Sequence, residues 1–232
     1  MNKTAYLYGA DSLPGREIGF YLLKRGLTIA AQFSDSGSRE AFLADLPNEW
    51  RERCIPTFVL PEEIGIESIE RRLEAVSTEM KGLDLYIHAA GWQDEMTMLE
   101  FEPEDFAHHT EQRLRELFFY CRAAGRVMVR EKKGQIIVPL LSDALYYTDF
   151  PSSPIYNQGA IAFVKSLAKE LSPFGISMNA FEFGYYQDDK ASPLTRKTRK
   201  RFDLYALKPP IPKLADAVEG LGMLLDYGQG MS

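Results

Sequence analysis

Residues 4–26 read TAYLYGADSLPGREIGFYLLKRG, and this stretch decides the fold. A short apolar run ends at Gly9, and a helical pattern follows from about Arg16 to Arg25, closed by Gly26. A glycine-rich turn between a strand and a helix lets the backbone approach a phosphate group at the helix N-terminus. The stretch therefore predicts the first half of a βαβ unit with a ligand-binding turn.

The alternation of strand-like and helix-like segments continues along the chain. The further strand candidates are 27–33, 54–60, 84–88, 135–141 and 176–181, and the further helix candidates are 39–46, 66–80, 103–130 and 154–171. Strands separated by helices require a parallel sheet covered on both faces. We expect a single α/β domain over residues 1–232, a doubly wound Rossmann-type three-layer sandwich that binds ligands at the carboxyl ends of its strands.

Composition excludes several classes of protein. With 45% hydrophobic and 26% charged residues the chain is not intrinsically disordered, and its net charge of −6 argues against a nucleic-acid partner. Cys54 and Cys121 are too few for a disulfide framework or a zinc site, so no metal is expected. No apolar run approaches the length of a membrane span, and the expected location is cytoplasmic.

Several segments together resemble the short-chain dehydrogenase/reductase family. That family's turn is Thr-Gly-x-x-x-Gly-x-Gly, and this chain keeps the outer glycines, Gly9 and Gly15, with Tyr8 for the threonine and Leu13 for the middle glycine. Further matching segments are Asp84–Gly91, Gly134–Val138, Leu167–Leu171, Gly175–Ala180 and Gly184. The resemblance implies an NAD(P)-binding fold, with Gly9, Ser12, Gly15, Ala90 and Gly91 as the candidate cofactor-binding residues.

Three departures from the family pattern argue against competent dinucleotide binding. Leu13 adds a side chain where backbone and phosphate would meet. The position that binds the adenosine ribose falls on Phe33, with Asp35 and Arg39 nearby. After the sixth strand, the chain keeps the family's glycine as Gly184. It lacks the proline that precedes this glycine in the family and the threonine that holds the nicotinamide amide.

The residues that the family uses for catalysis are also replaced. The resemblance implies a tyrosine as proton donor, a lysine four residues later, a serine on the preceding strand and an asparagine on the preceding helix. An ungapped count places these positions at Ser153, Asn157, Leu140 or Leu141, and Arg113, respectively. A shifted alignment pairs Tyr156 with Ser142 as candidate catalytic residues, but Ala160 then stands where the lysine is needed to lower the pKa of the phenol.

Two functions stay open from the sequence. The first is a catalytically inactive family member that acts as a structural or regulatory subunit of a dehydrogenase homo-oligomer, or of a hetero-oligomer with an active homologue. The second is an active NAD(P)-dependent oxidoreductase with an atypical site that uses Tyr156. The resemblance also implies a lid near 185–212, where Arg196–Arg201 holds five cations in six residues and predicts an acyl-CoA or acyl-carrier ligand.

Overall fold

The computed structural model describes residues 3–58, 65–92, 95, 102–142, 153–184, 186 and 212–228. The strands are β1 (Thr4–Tyr8), β2 (Thr28–Phe33), β3 (Cys54–Phe58), β4 (Leu85–His88), β5 (Gly134–Leu141) and β6 (Ile176–Phe183). The helices are α1 (Leu13–Lys24), α2 (Ser36–Ala44), α3 (Asn48–Arg51), α4 (Ile66–Met80), α5 (Pro103–Glu131), α6 (Pro154–Leu171), α7 (Leu214–Val218) and α8 (Leu221–Tyr227).

The described strands form one parallel sheet in the order β3-β2-β1-β4-β5-β6. The chain leaves β1 toward β2 on one side and returns to β4 on the other, so the strand order reverses between β1 and β4. A crevice opens at this point in doubly wound sheets, beyond the carboxyl ends of the strands. The expected Rossmann-type α/β fold is confirmed.

Two apolar layers hold the helices against the sheet. On one face, α1, α2, α7 and α8 bury residues such as Ile18, Leu22 and Phe42. On the other face, α4, α5 and α6 bury Leu73 and Met128 among others. Both faces of the central strands are covered, which explains why β4 and β5 are continuous apolar runs rather than alternating ones.

Capping explains where the first two helices depart from the sequence expectation. α1 begins at Leu13 because the Ser12 hydroxyl accepts a hydrogen bond from the Gly15 N–H. α2 begins at Ser36 because the Asp35 carboxylate accepts one from the Ser38 N–H. The apolar periodicity alone starts both helices three residues too late. Gly26, at φ +86°, follows the end of α1 as expected.

No helix in the described part of the chain is long and apolar enough to cross a membrane.

Candidate functional site

The turn after β1 and the end of β4 meet at the predicted crevice. Tyr8 and His88 are in register, and the Ser12 hydroxyl donates a hydrogen bond of 2.7 Å to the Ala89 carbonyl. Gly9 adopts φ +70°, and a Cβ atom there would lie 2.4 Å from the same carbonyl oxygen. The structure thus brings the predicted residues Gly9, Ser12 and Gly15 to the segment that contains Ala90 and Gly91.

The hydrogen-bonding groups of this turn are largely paired with one another. Pro14 offers no N–H, and the Gly15 N–H is donated to Ser12, so two of the first three residues of α1 have no free donor for an anion. Leu13, in the same turn, is 40% exposed at the place of the missing glycine. The turn keeps the shape of a phosphate-binding loop but few of its donors.

At the end of β2, the predicted ribose position is apolar, as expected. Phe33 is buried and packs edge-on against Phe42 at 5.3 Å. Asp35 caps α2, and Arg39 lies over the Phe58 ring, so each has another contact. A carboxylate does reach this place from the turn: Asp11 accepts hydrogen bonds from the N–H and hydroxyl of Ser34. Asp11 is the group here suited to ribose hydroxyls, and the sequence reasoning missed it.

At the other end of the crevice, three aromatic side chains pack together. The Trp92 ring lies 5.8 Å from that of Phe183 and 5.3 Å from that of Tyr186. We call Trp92, Phe183 and Tyr186 the aromatic cluster. It stands after β4 and β6, the strand ends where the family pattern places the nicotinamide. Of the predicted lid, 185–212, only Tyr186 and residue 212 are described, and the basic run 196–201 lies outside the described residues.

Two of the positions that carry catalytic residues in the family are joined by a structural hydrogen bond. The Asn157 side-chain amide donates to the Leu141 carbonyl at 2.6 Å. Asn157 and Leu141 are 4% and 2% exposed, and Ser153 beside them is buried. The amide that stands in place of the lysine therefore ties α6 to β5 instead of facing a ligand.

The candidate residue Tyr156 is buried in the layer between the sheet and α5 and α6. Its side chain is 3% exposed, and its hydroxyl has no hydrogen-bond partner among the described residues. Ser142 lies at the end of β5, where its N–H donates to the Phe183 carbonyl. No hydrogen bond described by the structure joins Tyr156 to Ser142, so their pairing stays a prediction.

Arg113, the residue at the asparagine position, stacks on Tyr156. Its Cζ atom lies 3.8 Å from the ring centroid, and its Nη2 donates to the Gly91 carbonyl at 3.1 Å. Burial raises the pKa of the Tyr156 phenol well above its usual value, and the lowering by the Arg113 charge is the smaller effect. The phenol is therefore neutral over the physiological pH range.

His88 lies beneath Arg113 at the end of β4. Its ring stacks on Tyr8 at 4.3 Å, and its Nδ1 is 2.8 Å from the Tyr86 hydroxyl. Burial, helped by the Arg113 charge, lowers the pKa of His88 to about 3. Tyr8 in turn donates to Glu116 at 2.7 Å. Neither His88 nor Tyr156 titrates near neutral pH, where a general acid or base is most effective.

Comparisons with known proteins agree with the fold. A family model described as short chain dehydrogenase matches residues 3–199. The 3-oxoacyl-(acyl-carrier-protein) reductase FabG of Staphylococcus aureus (strain Mu50 / ATCC 700699) is 23% identical over 205 residues, 87% of this chain and 81% of that protein. The enzyme of the same name from Aquifex aeolicus (strain VF5) is 23% identical, over 86% and 80% of the two chains.

Solved structures show the same architecture. The crystal structure of NAD⁺-bound xylitol dehydrogenase superposes with a TM-score of 0.77 at 16% identity, covering 99% of this chain and 94% of that one. A dehydrogenase/reductase from Sinorhizobium meliloti 1021 superposes with a TM-score of 0.74 at 21% identity, covering 96% and 87%. At these identities the likeness shows the fold.

Proposed function

The chain belongs to the short-chain dehydrogenase family, and from that premise we propose that it is a non-catalytic member that serves as a structural or regulatory subunit of a dehydrogenase oligomer. The observation that carries this proposal is the hydrogen bond from Asn157 to Leu141. The bond joins two buried residues of α6 and β5, and breaking it would cost free energy, so these positions have a stabilising role. In the family, proton transfer uses a tyrosine and a lysine at these helix positions, and this chain has Ser153 and Asn157 there.

Two features of the crevice agree with weak dinucleotide binding. Leu13 and Pro14 offer little to a phosphate group, and the aromatic cluster stands at the strand ends where the family pattern places the nicotinamide. Family membership implies NAD(P), and Asp11 could hold the ribose hydroxyls of NAD more readily than a 2′-phosphate. We propose that a dinucleotide, if bound at all, binds weakly and without hydride transfer.

A groove on the outer faces of α5 and α6 supports the oligomer. Its volume is about 800 Å³, and it lies away from the strand ends that form the crevice. Phe118, 46% exposed, stands at the groove edge-on to Phe163, and Arg122 and Arg126 on its rim pair with Glu70. Exposed aromatic surface bordered by charge is typical of a protein–protein contact. We propose that a homologous subunit, either a second copy or an active paralogue, packs its own α5 and α6 here.

We expect the purified chain to sediment as a dimer at micromolar concentration. Phe118→Lys places a charge in the groove next to its two-fold copy and should shift the equilibrium toward monomer without changing the circular dichroism spectrum. Met223→Lys is the matched control, since Met223 is 69% exposed on α8, outside the groove. A monomeric wild type would contradict the homo-oligomer, and equal dissociation by both variants would contradict the placement of the interface.

The acyl-CoA or acyl-carrier ligand also remains a proposal. Its sequence support, Arg196–Arg201, lies outside the described residues. The reductases at 23% identity bear acyl-carrier protein in their name, which agrees with an acidic carrier as the ligand. A cytoplasmic location likewise stays a prediction.

The alternative, an active enzyme that uses Tyr156, has one observation in its favour. The Arg113 guanidinium lies on the Tyr156 ring, and its charge lowers the pKa of the phenol. We expect Tyr156→Phe to leave any NAD(P)H-dependent carbonyl reduction at the background of the wild type, because the hydroxyl is buried and unpaired. A wild-type rate above background that falls by about 10²-fold or more in Tyr156→Phe would establish the phenol as the general acid and overturn the non-catalytic proposal.

A further inference from the structure

A carboxylate from the segment after β4 caps the N-terminus of α6. Glu95 is 7% exposed, and its Oε2 accepts a hydrogen bond of 2.8 Å from the Ile155 N–H. Its Oε1 accepts a second, longer bond of 3.4 Å from the Tyr156 N–H. The N-cap residue Ser153 makes no side-chain capping bond, and the first turn of this 18-residue helix holds no acidic residue. Glu95 therefore supplies the negative charge that the helix end favours.

A guanidinium group lies beside the Glu95 carboxylate. Arg113 Nη1 lies 3.8 Å from Glu95 Oε1, and the two side chains are only 14% and 9% exposed. Stacking on Tyr156 and the bond to the Gly91 carbonyl fix the plane of the guanidinium. Nη1 is buried and makes no hydrogen bond within the described residues. A fixed, partly unused guanidinium fork suits the planar geometry of a carboxylate.

A second observation points to the same place. The His88 Nε2 and the Tyr156 hydroxyl are buried without a hydrogen-bond partner in the part of the chain that is described. The Tyr86 hydroxyl is hydrogen-bonded to Nδ1 of His88, so Nε2 is the ring nitrogen that has no partner among the described residues. Tyr156 lies directly at this guanidinium, because its ring centroid is 3.8 Å from the Arg113 Cζ atom. A buried hydroxyl beside a partly unpaired guanidinium therefore lacks a hydrogen-bond partner among the described residues.

We infer that the N-terminus of α6, together with Arg113, is a binding site for a carboxylate group, and that Glu95 occupies it as a tethered ligand. A small molecule or chain terminus bearing a carboxylate can bind only by displacing Glu95, which acts as an internal competitor. The site uses backbone N–H groups and Arg113, the residue at the family's asparagine position, and it does not involve the hydrogen bond from Asn157 to Leu141 that carries the non-catalytic proposal.

Removing the tethered carboxylate should open the site to a free one. We expect sodium formate to raise the unfolding temperature of Glu95→Ala saturably above that in sodium chloride of equal ionic strength. The wild type should not respond, since a tethered carboxylate has a high effective concentration. Glu95→Ala/Arg113→Met should lose the response. Glu74→Ala is the matched control, because Glu74 pairs with Arg130 on an exposed surface.

Formate that stabilises Glu95→Ala no more than chloride does, or that stabilises Glu74→Ala or the double variant equally, would overturn the inference. If Glu95→Ala does not fold, Glu95→Gln removes the charge and keeps one acceptor oxygen for the stronger bond, that from the Ile155 N–H. We then expect Arg113→Gln to reduce the urea midpoint less in the Glu95→Gln background than in the wild type. Additive losses would show that the two charges do not interact and would equally overturn the site.

Discussion

Gly15→Ala is expected to lower the free energy of unfolding by about 3 kcal/mol or more, because the new methyl group has no space. A Cβ at this position would lie 1.9 Å from the Gly9 carbonyl oxygen and 2.8 Å from its carbon. Both are backbone atoms of the turn after β1, so the turn itself would have to move. The urea midpoint, followed by circular dichroism, measures the loss.

Gly184→Ala is the control for this variant. No atom of the described residues lies within 4 Å of a Cβ built at Gly184, and its φ is outside the left-handed region. We expect its stability to stay within about 0.5 kcal/mol of the wild type. A Gly15→Ala variant as stable as Gly184→Ala would show that the turn is looser than described. It would also contradict the conclusion that the N–H groups of this turn are not free to bind a phosphate group.

Acidification is expected to destabilise the protein through His88. The pKa of this side chain is lowered from 6.5 to about 3 in the folded chain, because burial and the Arg113 charge oppose protonation. The unfolded chain therefore binds a proton first as the pH falls. The stability that neutral His88 contributes is complete above pH 6.5 and is lost toward pH 3, by up to about 1.4 kcal/mol per pH unit.

His88→Gln should remove much of this dependence between about pH 6.5 and pH 4.5, since glutamine does not titrate. His108→Gln is the control: His108 lies on the exposed face of α5, and the variant should keep the wild-type slope. Equilibrium unfolding in urea at several pH values measures all three slopes. Equal slopes for wild type and His88→Gln would contradict the burial of a neutral imidazole at the end of β4.

The alternation of apolar segments was sufficient to predict the sheet and its flanking helices. β1, α4 and α6 have the predicted bounds because each begins or ends at a clear change in apolar periodicity. The sequence reasoning missed α3, a four-residue helix, because so short a segment shows no periodicity. It also missed α7 and α8, which are short helices near the end of the described chain.

The site was only partly predictable from sequence. Glycine spacing singled out Gly9 and Gly15, and a Cβ atom there would meet the Ala89 and the Gly9 carbonyl oxygen, respectively, so the turn has no room for a side chain at either position. Their role in cofactor binding stays a prediction. Glu95 and Asp11 could not be assigned in this way, because each acts on a segment distant in sequence. Glu95 lies 60 residues before Ile155, whose N–H it accepts, so no local sequence pattern connects the two.

Titration of the purified chain with NADH and NADPH, followed by nicotinamide fluorescence, tests the central claim most directly. The account predicts no saturable change with NADPH, at most weak binding of NADH, and no oxidation of either when carbonyl compounds are added. Saturable binding of either dinucleotide together with turnover of any carbonyl compound would contradict the proposal that this short-chain dehydrogenase fold has lost its catalytic function.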